Sequence, residues 1–146
     1  MDQHQEKIEL LKKYYTKIQT ISGFQIGNDI SRKKLDNAKK KFASGLDEST
    51  VIGFYDTTVA GSGKSGYLFT DTKVYYLEVL EKPKKIWYDD IEDIELYDIA
   101  NKDCNNELQI KLYDGTKIDW TSIYLIKHHC IVFLKNCLRC KTACRR

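Results

Sequence analysis

Between Thr50 and Ser122, seven short segments alternate apolar with polar residues and are rich in β-branched and aromatic side chains. They are TVIGFYDTTV, GYLFTD, KVYYLEVLE, KKIWYDDI, DIELYDI, ELQIKLYD and TKIDWTS. Successive side chains leave opposite faces of a pleated backbone, so a period of two over four to eight residues predicts strands. Compact turn signals separate the segments: the Gly/Ser stretch at 61–66, Thr70-Asp71-Thr72, Glu81-Lys82-Pro83, Ala100 to Asn106, and Asp114-Gly115. The clearest hairpin is LQIKLYDGTKIDW, where a type I′-compatible Asp-Gly joins two alternating strands.

Helical spacing flanks this β region. Ile8, Leu11, Tyr15 and Ile18 predict a helix from Gln3 to Ile21, after which SGFQIGND breaks the pattern. Ser31 is placed to N-cap a second helix through RKKLDNAKKKFA, with Leu35, Ala38 and Phe42 as a narrow apolar stripe and lysine on the other face. Thr121 or Ser122 can cap a third helix, about Ile123 to Cys140, with a broad apolar face. The 146 residues fit one domain, 1–146, made of a helical extension over 1–45 and a β-rich core over 50–140.

The N-terminus is charged throughout and no window approaches the roughly 20 apolar residues of a membrane span, so a soluble cytoplasmic protein is expected. In a reducing compartment its five cysteines would be thiols, and an odd count argues against a complete disulfide framework. Charge is unevenly placed. Residues 1–45 carry ten Lys/Arg against five Asp/Glu, residues 46–120 eight against sixteen, and residues 121–146 six against none. A basic helical side and an acidic sheet edge or loop follow.

AGSGKSG, Ala60 to Gly66, ends like a phosphate-binding loop, but Thr58 stands where the first glycine belongs and GYLFTDTKVYYLEVLE continues as strand. Without a helix to supply amides and dipole the anion site is lost, and the stretch reads as a strand connection. Cys130, Cys137, Cys140 and Cys144 fall on one arc of one helix beside Phe133 and Leu134. That placement suits core packing better than metal, and the spacing offers no second knuckle. No metal site and no cofactor is expected. His4, His128 and His129 have no nucleophile placed to partner them, so no catalytic residues are assigned.

Two charged stretches remain as binding candidates. Asp89, Asp90, Glu92, Asp93, Glu95 and Asp98 are interleaved with Ile91, Ile94 and Leu96, a pattern for a strand and bend with one solvated face and for an acidic surface that steers a basic protein. Lys33, Lys34, Lys39, Lys40 and Lys41 on the second helix suit an anionic surface. That helix lacks the Asn/Gln/Arg cluster of base readout, so specific nucleic-acid recognition is not expected, while nonspecific attraction to polyanions remains open.

Seven strands followed by a terminal amphipathic helix resemble the pleckstrin-homology and GRAM superfold. GYLFTDTKVYYLEVLEKPKKIWYDDIEDIEL is similar to bacterial PH-like domains at Gly66, Leu68, Thr70, Asp71, Lys73, Tyr75, Ile86, Tyr88, Asp90 and Ile91. The resemblance covers roughly residues 50–138. It implies an α+β fold, a seven-stranded antiparallel β-sandwich or barrel capped by a C-terminal helix, here with two extra N-terminal helices. It also implies a binding platform without intrinsic catalysis. The first strand pair offers only Lys64 and Lys73 among Asp56 and Asp71, which disfavours a lipid-headgroup pocket and favours protein binding. The expected function is therefore a non-enzymatic protein-binding module using the acidic 89–98 region. One version is a bacterial immunity protein masking a basic toxin domain. The alternative is peripheral attachment to a phospholipid membrane through the lysine-rich helix.

Overall fold

The computed structural model describes residues 24–78, 80–98 and 106–120, together with Gln5, Glu6 and Glu9, which are helical. The rest of the predicted first helix, the predicted helix 123–140, all five cysteines and all three histidines lie outside the described residues. The chain forms two compact units, Met1–Trp87 and Tyr88–Arg146.

The first unit holds strands β1 (Phe24–Ile26), β2 (Val51–Asp56), β3 (Gly66–Thr70), β4 (Lys73–Leu77) and β5 (Lys84–Trp87), with helix α1 (Arg32–Lys41) between β1 and β2. The strands pair in chain order into one antiparallel sheet, and one cross-strand row reads Phe54, Leu68, Tyr75, Lys85. The second unit holds β6 (Ile91–Asp98), β7 (Asn106–Leu112) and β8 (Lys117–Trp120), also antiparallel and in chain order. All seven predicted strands are present. The described strands form two sheets, five and three, rather than a closed barrel.

Helix α1 starts where its sequence allows. Ser31 is extended and its Oγ accepts from the Lys34 amide at 3.2 Å, satisfying one donor that the first turn leaves open. Lys39, Lys40 and Lys41 occupy the last turn, where the helix dipole favours cations. The predicted stripe is the packed face. Ala38 and Phe42 are buried, Leu35 is half-buried, and they join Ala43, Leu46, Val51, Phe54, Leu68 and Tyr75 in one core. The Phe42 and Phe54 rings stack with centroids 6.1 Å apart. Burying each such large side chain contributes about 1.5–3 kcal/mol.

Three sequence expectations change. SGFQIGND is not merely a break: Phe24–Ile26 forms β1, pairing Phe24 with Tyr55 and Ile26 with Gly53, and Gly27–Asp29 follows as a 3-10 turn. The free edge of β2 supplies the hydrogen bonds that make so short a strand stable. KKIWYDDI is not one strand, because a 3-10 turn at Tyr88–Asp90 ends β5 and starts β6. Consecutive aspartates are poor strand formers, and Tyr88 is buried while Asp89 and Asp90 stay exposed. The hairpin at Asp114-Gly115 is not type I′, since Asp114 has no positive φ. Gly115, at φ +90°, closes a three-residue loop in which its amide donates to Leu112 O at 3.0 Å and the Leu112 amide donates to Thr116 O at 2.8 Å. That is a type I turn followed by a left-handed glycine.

The central strand β3 also departs from alternation, with every residue from Gly66 to Thr70 buried. One face meets the α1 core, and on the other Tyr67 stacks on Tyr76 at 5.6 Å with the rings nearly parallel. Among the described residues no helix is long and apolar enough to cross a membrane.

Candidate functional site

The glycine-rich stretch leads into β3 at Gly66, and its Gly63 amide donates to a carboxylate of the protein itself. Asp56, the last residue of β2, has a side chain with no exposed surface. Its Oδ1 accepts from the Thr58 amide at 2.9 Å and from Thr58 Oγ1 at 2.5 Å. Its Oδ2 accepts from the Gly63 amide at 3.0 Å and stands 3.5 Å from Lys34 Nζ. The Ser62 amide donates to Thr58 Oγ1 at 2.9 Å, Asn37 Nδ2 donates to Ser62 O at 2.7 Å, and the Thr57 and Ser65 hydroxyls meet at 2.8 Å. A buried carboxylate is tolerated only with such charge-assisted donors. Gly63, at φ +75°, lies so close to α1 that a Cβ there would sit 2.6 Å from Lys34 O. The loop is thus a clamp onto α1, closed around the Asp56 carboxylate.

Two of the α1 lysines are engaged within the protein. Lys34 is turned inward to Asp56, and Lys39 Nζ lies 3.4 Å from Glu48 Oε2. Glu48 also receives Arg32, which donates to Asp36 from Nε at 3.0 Å and Nη2 at 2.7 Å. Hydrogen bonding to Arg32 holds the Asp36 and Glu48 carboxyls below the usual carboxylate range, and hydrogen bonding to Asp36 first, then Glu48, raises the guanidinium. Of the five lysines expected to form one anionic-surface site, Lys33, Lys40 and Lys41 are exposed and make no ion pair among the described residues. At 100° per residue, Lys33 and Lys40 share the side of α1 opposite the packed stripe.

The acidic segment lies in the second unit. Asp89 and Asp90 are exposed in the 3-10 turn, Glu92 and Asp93 are exposed on β6 between buried Ile91 and Ile94, and Glu95 is exposed after Ile94. A bulge between Ile91 and Asp93 puts Glu92 and Asp93 at the surface together. Asp98 pairs with Asn106 through its backbone, and its side chain lies outside the description. Register sets Asp93 opposite Lys111, which opposes Lys117, and Glu95 opposite Gln109, which opposes Asp119. Lys111 Nζ is 3.8 Å from Glu92 Oε2, and Gln109 Nε2 donates to Asp119 Oδ1 at 3.1 Å. Two lysines therefore offset part of this acidic face.

No family model, curated protein or solved structure matches this chain.

Two further groupings were not foreseen from the sequence. A cavity of about 750 Å³ in the first unit is lined in part by Ile26, Asn28, Ile30, Arg32, Glu48 and Val51, with the Arg32–Glu48 pair on its wall. On the sheet, Lys73 and Trp87 face each other across β4 and β5, with Tyr75 and Lys85 as the adjoining pair. An Asp-x-Thr turn signal after an apolar strand could have marked Asp56. The KxW spacing of β5 could have marked Lys85 and Trp87 as same-face neighbours.

Proposed function

We propose that this chain is a non-enzymatic protein-binding module of PH-like architecture, whose acidic segment from Asp89 to Asp98 docks a basic partner protein. The observation that carries this reading is the exposure of all five described acidic side chains, Asp89, Asp90, Glu92, Asp93 and Glu95, along one continuous segment. Such a row steers a basic partner and raises its rate of encounter. The PH-like reading is supported by the strand order: after β1, a meander of four strands precedes a meander of three. A bacterial immunity protein that masks a basic toxin domain is one concrete form of the reading. Membrane attachment through α1 has less support, because Lys34 and Lys39 face carboxylates of the protein itself.

The test pairs the native chain with a variant carrying Asp90→Asn, Glu92→Gln, Asp93→Asn and Glu95→Gln. A partner captured by the native chain should bind the neutralised one at least about tenfold more weakly and associate more slowly, with the difference shrinking as salt rises from about 50 to 500 mM. Equal affinity for both chains would refute the acidic surface. Salt-sensitive attachment of the native chain to anionic vesicles would favour the membrane reading instead.

A further inference from the structure

Helix α1 covers one face of the sheet from β2 to β4 and leaves that face uncovered at β5. Tyr75 is buried beneath the helix core, whereas Lys85 is exposed and Trp87 keeps 41% of its surface in solvent. Lys73 Nζ lies 3.9 Å from the centre of the Trp87 ring system and 5.4 Å from that of Tyr75, and Lys85 Nζ lies 5.9 Å from Trp87. The four side chains form a checkerboard, with lysines on one diagonal and aromatic rings on the other. Neither lysine has a carboxylate partner among the described residues, and the nearest acid in sequence is Asp71, in the turn before Lys73. Lys33, Lys40 and Lys41 extend the positive charge over the outer side of α1.

We infer that this exposed sheet face beside α1 binds single-stranded nucleic acid without sequence preference. Lys85 and the exposed lysines of α1 would meet phosphates, and a base would stack on the part of the indole that Lys73, seated over the ring, leaves in solvent. An ammonium cluster alone attracts any polyanion, but a half-exposed indole adds a flat π-surface that an acidic peptide or a lipid headgroup does not need. A bilayer would require the ring on a protruding tip. Here the ring lies in the sheet, about one helix diameter, roughly 10 Å, below the outer side of α1. A linear chain can follow such a step, and a duplex could not offer its stacked bases to the indole. This site is in the first unit and does not depend on the acidic segment.

The test measures fluorescence anisotropy of a labelled oligothymidylate of about twelve nucleotides with the full chain, at about 50 and 200 mM salt. Binding should weaken steeply between those salt concentrations. Trp87→Ala should weaken it about fivefold or more, Trp87→Phe should retain most of it, and Lys85→Glu should weaken it by at least as much as Trp87→Ala. Lys85 is on an exposed edge strand, so its variant keeps the test decisive if Trp87→Ala disturbs the fold. The inference is overturned if the native chain does not bind at about 50 mM salt, or if neither Lys85→Glu nor Trp87→Ala weakens binding. It is equally overturned if polyglutamate binds as well as the oligonucleotide, or if anionic phosphatidylglycerol vesicles bind and the oligonucleotide does not.

Discussion

Asp56 ties the end of β2, the glycine loop and α1 together through one side chain. Its carboxylate gathers two amides, a hydroxyl and the Lys34 ammonium, so removing it leaves several buried groups without partners at once. Asp56→Ala should destabilise the protein by about 3–5 kcal/mol, read from the urea midpoint, and a loss below about 1 kcal/mol would mean that water replaces the carboxylate. Leu80 presents the opposite case. It is fully exposed and adopts φ +65°, a left-handed conformation that costs a leucine about 1–2 kcal/mol and that asparagine tolerates better. Leu80→Asn should therefore raise stability by about 1 kcal/mol, because no packing is lost in exchange, and a fall in Tm would show that the leucine has a hidden partner. The Asp-x-Thr signal marks Asp56 as a turn residue but not its pairing with Lys34, and nothing local marks Leu80. Lys34 and Asp56 are joined by tertiary structure and follow no local period, and the Leu80 conformation depends on how a turn closes.

At the scale of elements the sequence was a better guide. Ser31 was identifiable as the N-cap and Leu35, Ala38 and Phe42 as the packed stripe, because capping and helical periodicity are local properties. All seven predicted strands occur for the same reason, while β1 escaped notice because three residues cannot display a period and its partner lies beyond α1. Beside the stripe and the loop that clamps Lys34, the exposed Arg32 cluster adds a pH-dependent contribution. A carboxyl whose folded pKa is depressed stabilises the fold above its unfolded pKa, and that contribution is lost as pH falls through the folded value. Asp36 and Glu48 are both depressed by Arg32. The native chain and Arg32→Ala should therefore differ in urea midpoint at pH 7 and converge as pH drops below about 4, with about 1 M salt narrowing the gap. A difference that persists at pH 2 would assign the role of Arg32 to packing instead. These groups are exposed, so the effect is small.

Across the whole molecule, exposed lysines gather on and beside α1 in the first unit, and the carboxylate row lies on and just before β6 in the second. What the sequence could not show is which charges are committed internally. Lys34 and Lys39 looked equivalent to Lys33 and Lys40, and only the positions of Asp56 and Glu48 distinguish them. The acidic row was legible as a row because its carboxylates are interleaved with Ile91 and Ile94, but the bulge that brings Glu92 and Asp93 to the surface together, and the partial neutralisation by Lys111 and Lys117, depend on strand register. The placement of β1 has a mechanical consequence. A helix attached to its sheet through one connection can swing aside as a flap. Helix α1 is threaded between β1 and β2, which are hydrogen-bonded neighbours, so it is fastened at both ends like the tongue of a buckle. Lifting it clear of the sheet requires unfastening β1 as well.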